Sequence, residues 1–101
     1  MSKIMVRYKV KPEAAEENER LARAVYEELG RTTPAGLRYA TFRLDDGVSF
    51  MHVVSNETED GHSPLGEVTA FREFVKDVAE RCDEPPVTRD LDEVGSFRFW
   101  Q

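Results

Sequence analysis

A chain of 101 residues with 40% apolar side chains is long enough for one domain with its own core, spanning 1–101, and too short for two. A net charge of −6 and a pI of about 4.9 oppose binding to DNA or RNA, because the ten arginines are dispersed among acids rather than gathered in a stripe. Mean hydropathy is −0.57, no apolar run could span a bilayer, and MSKIMVRYKV lacks a signal-peptide pattern, so a cytoplasmic protein away from membranes is expected.

Ile4, Val6, Tyr8 and Val10 alternate with Met5, Arg7 and Lys9, which predicts a first strand. Pro12 suits a first helical position, and Glu13, Glu16 and Glu17 place negative charge at the helix's positive end. Leu21, Ala22, Val25, Tyr26 and Leu29 form one apolar stripe at helical spacing. Gly30 and the segment Thr32-Thr33-Pro34-Ala35-Gly36 are expected to end this helix. Two β-like runs then flank Asp45-Asp46-Gly47, a strong hairpin signal, since glycine accepts the positive φ that such a turn demands. The second run, Val48 to Val54, has apolar neighbours such as Phe50 and Met51, which predicts burial on both faces.

A polar loop, Glu57 to Ser63, follows, and Pro64 and Gly66 mark a bend. Asn56-Glu57-Thr58 matches a glycosylation sequon, a chance match in a protein without a secretory route. Val68, Phe71, Phe74, Val75 and Val78 predict a second amphipathic helix ending near Arg81-Cys82, stopped by Pro85-Pro86. From Val87 onward, through Leu91, Val94, Phe97 and Phe99, a last strand is expected, bent at Gly95. Cys82 is alone, so no internal disulfide forms, and the acids after it disfavour its thiolate.

The order βαββαβ predicts an α+β ferredoxin-like sandwich, a four-stranded antiparallel sheet with two helices on one face. The opposite face would then be open. With strand three apolar on both sides and Phe42, Leu44, Phe97, Phe99 and Trp100 adding bulk, a second copy packed sheet on sheet is the expected cover.

In this arrangement the chain resembles the dimeric α+β barrel superfamily, and within it the antibiotic biosynthesis monooxygenase family. The residues that carry the resemblance are strand one running into Lys11-Pro12-Glu13, the Gly36-to-Phe50 hairpin and Phe71-Arg72-Glu73-Phe74. It implies a homodimer joined through the open sheet face, and a small oxygenase acting without a cofactor on an aromatic or quinol-like compound. It also implies a pocket between sheet and helices in each subunit. The haem-degrading branch uses an Asn on strand one, a Trp near the end of strand three and a His on the last helix. Here strand one offers Tyr8, the sole Trp is Trp100, and Phe71 to Cys82 contains no His, so that branch is excluded.

His52 is then a candidate base for a phenolic proton, or else a core histidine or a residue of the dimer seam. Tyr8 and Tyr39 could hydrogen-bond a substrate oxygen, or be core residues with their hydroxyls at the surface. Arg38 and Arg43 fall on opposite faces by parity; Arg38 could hold an anionic substrate, or either could form an ion pair. Phe50, Phe71, Phe74 and Val78 would line a pocket or simply fill the core. His62 stands in an acidic loop without the paired spacing of a metal site, so no metal is expected. A non-catalytic domain that binds a small molecule or a partner and dimerises through its sheet is the alternative function.

Overall fold

The computed structural model describes residues 2–99. Strands β1 (Ser2–Val10), β2 (Leu37–Arg43), β3 (Ser49–Asn56) and β4 (Cys82–Asp90) form one sheet in the order β2-β3-β1-β4. All neighbouring strands are antiparallel. Helix α1 (Ala15–Thr32) connects β1 to β2, and α2 (Thr69–Lys76) with α3 (Val78–Arg81) connects β3 to β4. This is the ferredoxin-like α+β sandwich.

Helix α1 is entered through a single 3-10 turn, Pro12–Ala14, with Pro12 at its start. Gly30 does not end the helix. The chain stays helical to Thr32, and Thr33 closes it in the left-handed conformation (φ 39°), its N–H donating to the Leu29 carbonyl at 2.8 Å. The helix buries Ala15, Asn18, Ala22 and Val25 against the sheet. The hairpin turn is held by Asp46, whose Oδ1 accepts from the backbone N–H of Val48 and Ser49 at 2.9 and 2.8 Å. Gly47 supplies the positive φ of 79° that the Asp-Gly pair predicts. These bonds hold the Asp46 carboxyl at about 2, below its ordinary value.

The second helix is shorter than its apolar spacing predicts. It breaks at Asp77 (φ −121°, ψ 21°), and α3 is one turn that ends on Arg81. The Glu28 carboxylate of α1 accepts from the N–H groups of Thr69 and Ala70 at 3.0 and 2.8 Å, so one helix caps the other.

The last strand needs correction. It begins at Cys82 and ends at Asp90, so Pro85-Pro86 lie inside it, and Leu91, Val94, Phe97 and Phe99 follow without regular structure. The prolines are tolerated because β4 is an edge strand. Its register with β1 shifts between Arg7 and Lys9, where Glu84 to Val87 spans one residue more than its partner. Trp100, expected near the partner subunit, lies outside the described residues.

Alternation settles the two faces of the sheet. Ile4, Val6, Tyr8, Val10, Phe50, His52, Val54, Asn56, Leu37, Tyr39 and Thr41 share the helix face, as the pairings Tyr8↔Phe50, Val6↔His52 and Thr41↔His52 require. The core lies there, built on Tyr8, Val10, Val25, Phe50, Val54, Leu65, Val68 and Phe74. The open face of β3 is less apolar than expected, carrying Ser49, Met51, Val53 and Ser55. Among the described residues, no helix is long and apolar enough to cross a membrane.

Candidate active site

Arg81 begins a chain of hydrogen bonds that runs through the core to a cavity. A guanidinium can only donate, and Arg81 Nε donates to Asn18 Oδ1 at 3.0 Å. That contact turns Asn18 Nδ2 toward Tyr8, where it donates to the Oη at 2.9 Å. With that oxygen accepting, the Tyr8 hydroxyl is free to donate to His52 Nε2, 2.7 Å away. Donation in that direction places the ring proton of His52 on Nδ1, which faces Tyr39 Oη at 2.6 Å and Thr41 Oγ1 at 3.1 Å. Thr41 in turn bonds Tyr26 Oη at 2.7 Å. The Tyr39 hydroxyl is thus held between His52 and Thr41 at the edge of the cavity.

Burial strengthens the neutral forms of His52 and the three tyrosines. It lowers His52 from 6.5 to about 4, pushes Tyr26 up to about 12, and pushes Tyr8 and Tyr39 higher still. The imidazole is 5% exposed and sits among the rings of Tyr8, Tyr39 and Phe74, centroids 5.3–5.7 Å away.

The array opens onto a cavity of about 400 Å³ between the sheet and α2, walled mainly by Ile4, Val6, Val54, Leu65, Phe71 and Val78. Tyr8, Tyr39, His52 and Asn56 bring polar atoms to this apolar space. The combination of a concave apolar wall and few convergent polar groups is what small-molecule sites share.

Among the residues singled out from the sequence, His52, Tyr8, Tyr39, Phe71, Phe74 and Val78 meet at this cavity. Phe50 does not line it. It is 1% exposed behind Tyr8, stacked on that ring at 5.7 Å. Arg38 is on the other face of the sheet, where its Nε lies 3.0 Å from Glu57 Oε2. Arg43 reaches Glu16 and Glu19 of α1. His62 pairs with Asp60 on the exposed loop. Asn18, Thr41, Arg81 and Asn56 escaped the sequence reading. Asn18 had a signal, since it stands four residues before Ala22 on the buried stripe of α1. Asn56 is 6% exposed, so the sequon it opens cannot accept a glycan as folded.

No family model matches the sequence, and none of the curated proteins matches it. Solved structures do. A crystal structure of an antibiotic biosynthesis monooxygenase superposes with a TM-score of 0.72 at 20% identity, covering 94% of this chain and 100% of the other. A Mycobacterium tuberculosis protein, Rv0793, gives 0.73 at 15% identity, with 93% and 95% covered. SnoaB of Streptomyces nogalater, a cofactor-independent oxygenase, gives 0.67 at 13%, with 95% of each chain covered. At these identities the likeness is one of architecture: the chain has the ferredoxin-like α+β fold seen in structures of antibiotic biosynthesis monooxygenases.

Proposed function

We propose that the protein is a cytoplasmic, cofactor-independent monooxygenase that takes a small aromatic, quinol-like compound into the helix-side cavity. The supporting observation is the neutral Tyr8–His52–Tyr39 array, which ends on an apolar cavity at the Tyr39 hydroxyl. The ring of an aromatic ligand would lie against Phe71, Phe74 and Val78. Its oxygen would accept from Tyr39. Ionisation of a quinol-like substrate, its proton passing to solvent at the open side of the cavity, makes that oxygen negative, and a preorganised donor stabilises the charge more than it stabilises the neutral ground state. Without a cofactor, the four electrons that reduce O2 come from the substrate itself. The ring carbon opposite the ionised oxygen, a CH in the phenol form and a CH2 in its keto form, supplies them on becoming C=O, keeping one oxygen atom and releasing the other as water.

His52 enters as the group that holds Tyr39, rather than as a free base. Its Nε2 lone pair is occupied by the Tyr8 proton, and burial makes the imidazole a poor proton acceptor. Tyr8 fixes its tautomer in the same way.

Oxygen uptake with a panel of quinols and fused-ring phenols tests the activity. Uptake with at least one compound is expected, and Tyr39→Phe should lower kcat by roughly 100-fold, the usual loss for one oxyanion donor. Uptake that never exceeds the protein-free rate rules the oxygenase out. The alternative, a non-catalytic binding domain, is favoured by the saturation of both His52 nitrogens. Binding of the panel without uptake would establish it.

The proposal includes a homodimer joined through the open face. Paired rows there run Ala40, Val53, Met5 and Arg89, then Phe42, Met51, Arg7 and Val87, across the sheet, with Phe42 and Val87 on the edge strands each 45% exposed. Light scattering should return twice 11.6 kDa, and a stable monomer at micromolar concentration overturns the dimer.

A further inference from the structure

The open face of the sheet divides into two halves of different chemistry. Ala40, Phe42, Met51 and Val53 make the half on β2 and β3 apolar, whereas β1 and β4 carry Arg7, Lys9 and Arg89. Such a group of cations stands out in a chain of net charge −6. The register Met5↔Arg89 and Arg7↔Val87 makes Arg7 and Arg89 diagonal neighbours on adjacent strands, a separation of about 7–8 Å that long side chains bridge. Both line a groove of about 690 Å³ that Met5 and Val87 also line. The carboxylates of this groove are engaged by other groups. Glu84 lies 3.8 Å from Lys9 Nζ, and Asp46 accepts from the Val48 N–H and from the N–H and hydroxyl of Ser49. Arg89 Nη1 donates to the adjacent Thr88 carbonyl at 3.0 Å. The Arg7 side chain, between Met51 and Val87 on the neighbouring strands, makes no hydrogen bond or ion pair with any described residue. Like charges at neighbouring cross-strand positions repel, and an anion between them turns that repulsion into attraction.

We propose that Arg7 and Arg89 form a binding site for a phosphate group on the open face of the sheet. Two guanidinium charges match a dianion, and each planar fork pairs with phosphate oxygens in a bidentate way. A carboxylate brings a single charge and too few oxygens to serve both forks. The phosphate is free or carried by a small organic molecule, for which the groove has room over Met5 and Val87. One chain supplies the whole site, so it is independent of the helix-side cavity and of the dimer. A partner seated on the apolar half meets β2 and β3, while the groove lies toward the β4 edge.

The probes are inorganic phosphate and phenyl phosphate, with acetate as the singly charged control, titrated by calorimetry at constant ionic strength so that general screening cancels. Saturable binding of phosphate by the native protein is expected, with acetate weaker by roughly tenfold or more. Tighter binding of phenyl phosphate supports the site and identifies an esterified ligand; the reverse order supports it and identifies free phosphate. Arg7→Gln and Arg89→Gln should each weaken phosphate binding roughly tenfold, because each removes one charged fork. Lys9→Gln removes a cation that Glu84 already accompanies, and should change the affinity by less than about twofold. Arg7 and Arg89 are exposed, so the fold should tolerate both substitutions, and circular dichroism checks it. A similar loss in all three variants would show a diffuse positive field and overturn the site. Acetate binding as tightly as phosphate overturns it too, as does a native protein that shows no saturation. Each of these results leaves the cavity and the dimer untouched.

Discussion

Lowering the pH from 6.5 to 4 is expected to remove about 3 kcal/mol of stability through His52 alone. Its imidazole is enclosed by Tyr8, Tyr39, Thr41 and Phe74, none of which can compensate a positive charge as a carboxylate would. Burial therefore holds the folded-state value at about 4, while the unfolded chain has the ordinary 6.5. Between those limits the unfolded state binds a proton that the native state refuses, so stability rises with pH across the window. The contribution is complete above about 6.5 and gone below about 4. Over this span, at about 1.4 kcal/mol per decade of proton concentration, the loss comes to about 3 kcal/mol. The measurement is urea unfolding from pH 4 to 7 on the native protein and on His52→Gln. The carboxylates that titrate near pH 4 and the exposed His62, whose value is raised by Asp60, act in both proteins and cancel in the difference. The variant should be the less stable at pH 7, and the gap should close by about 3 kcal/mol at pH 4. Parallel curves would mean that His52 is as easily protonated in the fold as out of it, against the burial on which the array rests.

The elements that carry this histidine were legible because their signals are local. Alternation from Ile4 to Val10, the Asp46-Gly47 turn and the stripe through Ala22 and Val25 each determine a strand, a turn and a helix without knowledge of the rest. Parity on β3 then puts His52 with Phe50 and Val54, but not on a named side of the sheet. That choice depends on where α1 and α2 pack. The site itself was legible in part for the same reason. Tyr8 and Tyr39 come from different strands, and only the register Val6↔His52↔Thr41 brings their hydroxyls to the two nitrogens of one ring. Arg81 had no local mark among ten arginines, since what distinguishes it is a neighbour 63 residues away. The last strand was misplaced because Pro85-Pro86 signals a break, and it is the edge position of β4, a tertiary fact, that admits them.

Replacing Arg81 by methionine is expected to cost about 3 kcal/mol and to undo the order of the array. The guanidinium is 9% exposed, and its partners are neutral: Asn18 Oδ1 at 3.0 Å, the Phe74 carbonyl at 2.8 Å and the face of the Phe74 ring at 5.0 Å. Methionine fills much of the volume but leaves both oxygens without donors in a place water does not reach, and Asn18 is fully buried. Each orphaned acceptor costs roughly 1–3 kcal/mol, offset in part because a charge no longer has to be buried. Asn18→Leu alone should also destabilise, and the double variant should cost less than the sum, since the leucine removes one acceptor that Arg81 serves. A second readout separates this positioning role from simple packing. With Asn18 no longer oriented, its amide can turn and present its oxygen to Tyr8, so the Tyr8 proton is drawn from His52 Nε2. Nitrogen-15 NMR of His52 should then move from the Nδ1–H tautomer toward a mixture. An Arg81→Met protein within 0.5 kcal/mol of native, roughly the scatter of ordinary surface substitutions, would show that the chain of donors does not hold the site. An unchanged tautomer in a clearly destabilised variant would show that Arg81 supports the fold while the polarity of His52 is set nearer by, at Tyr39 and Thr41.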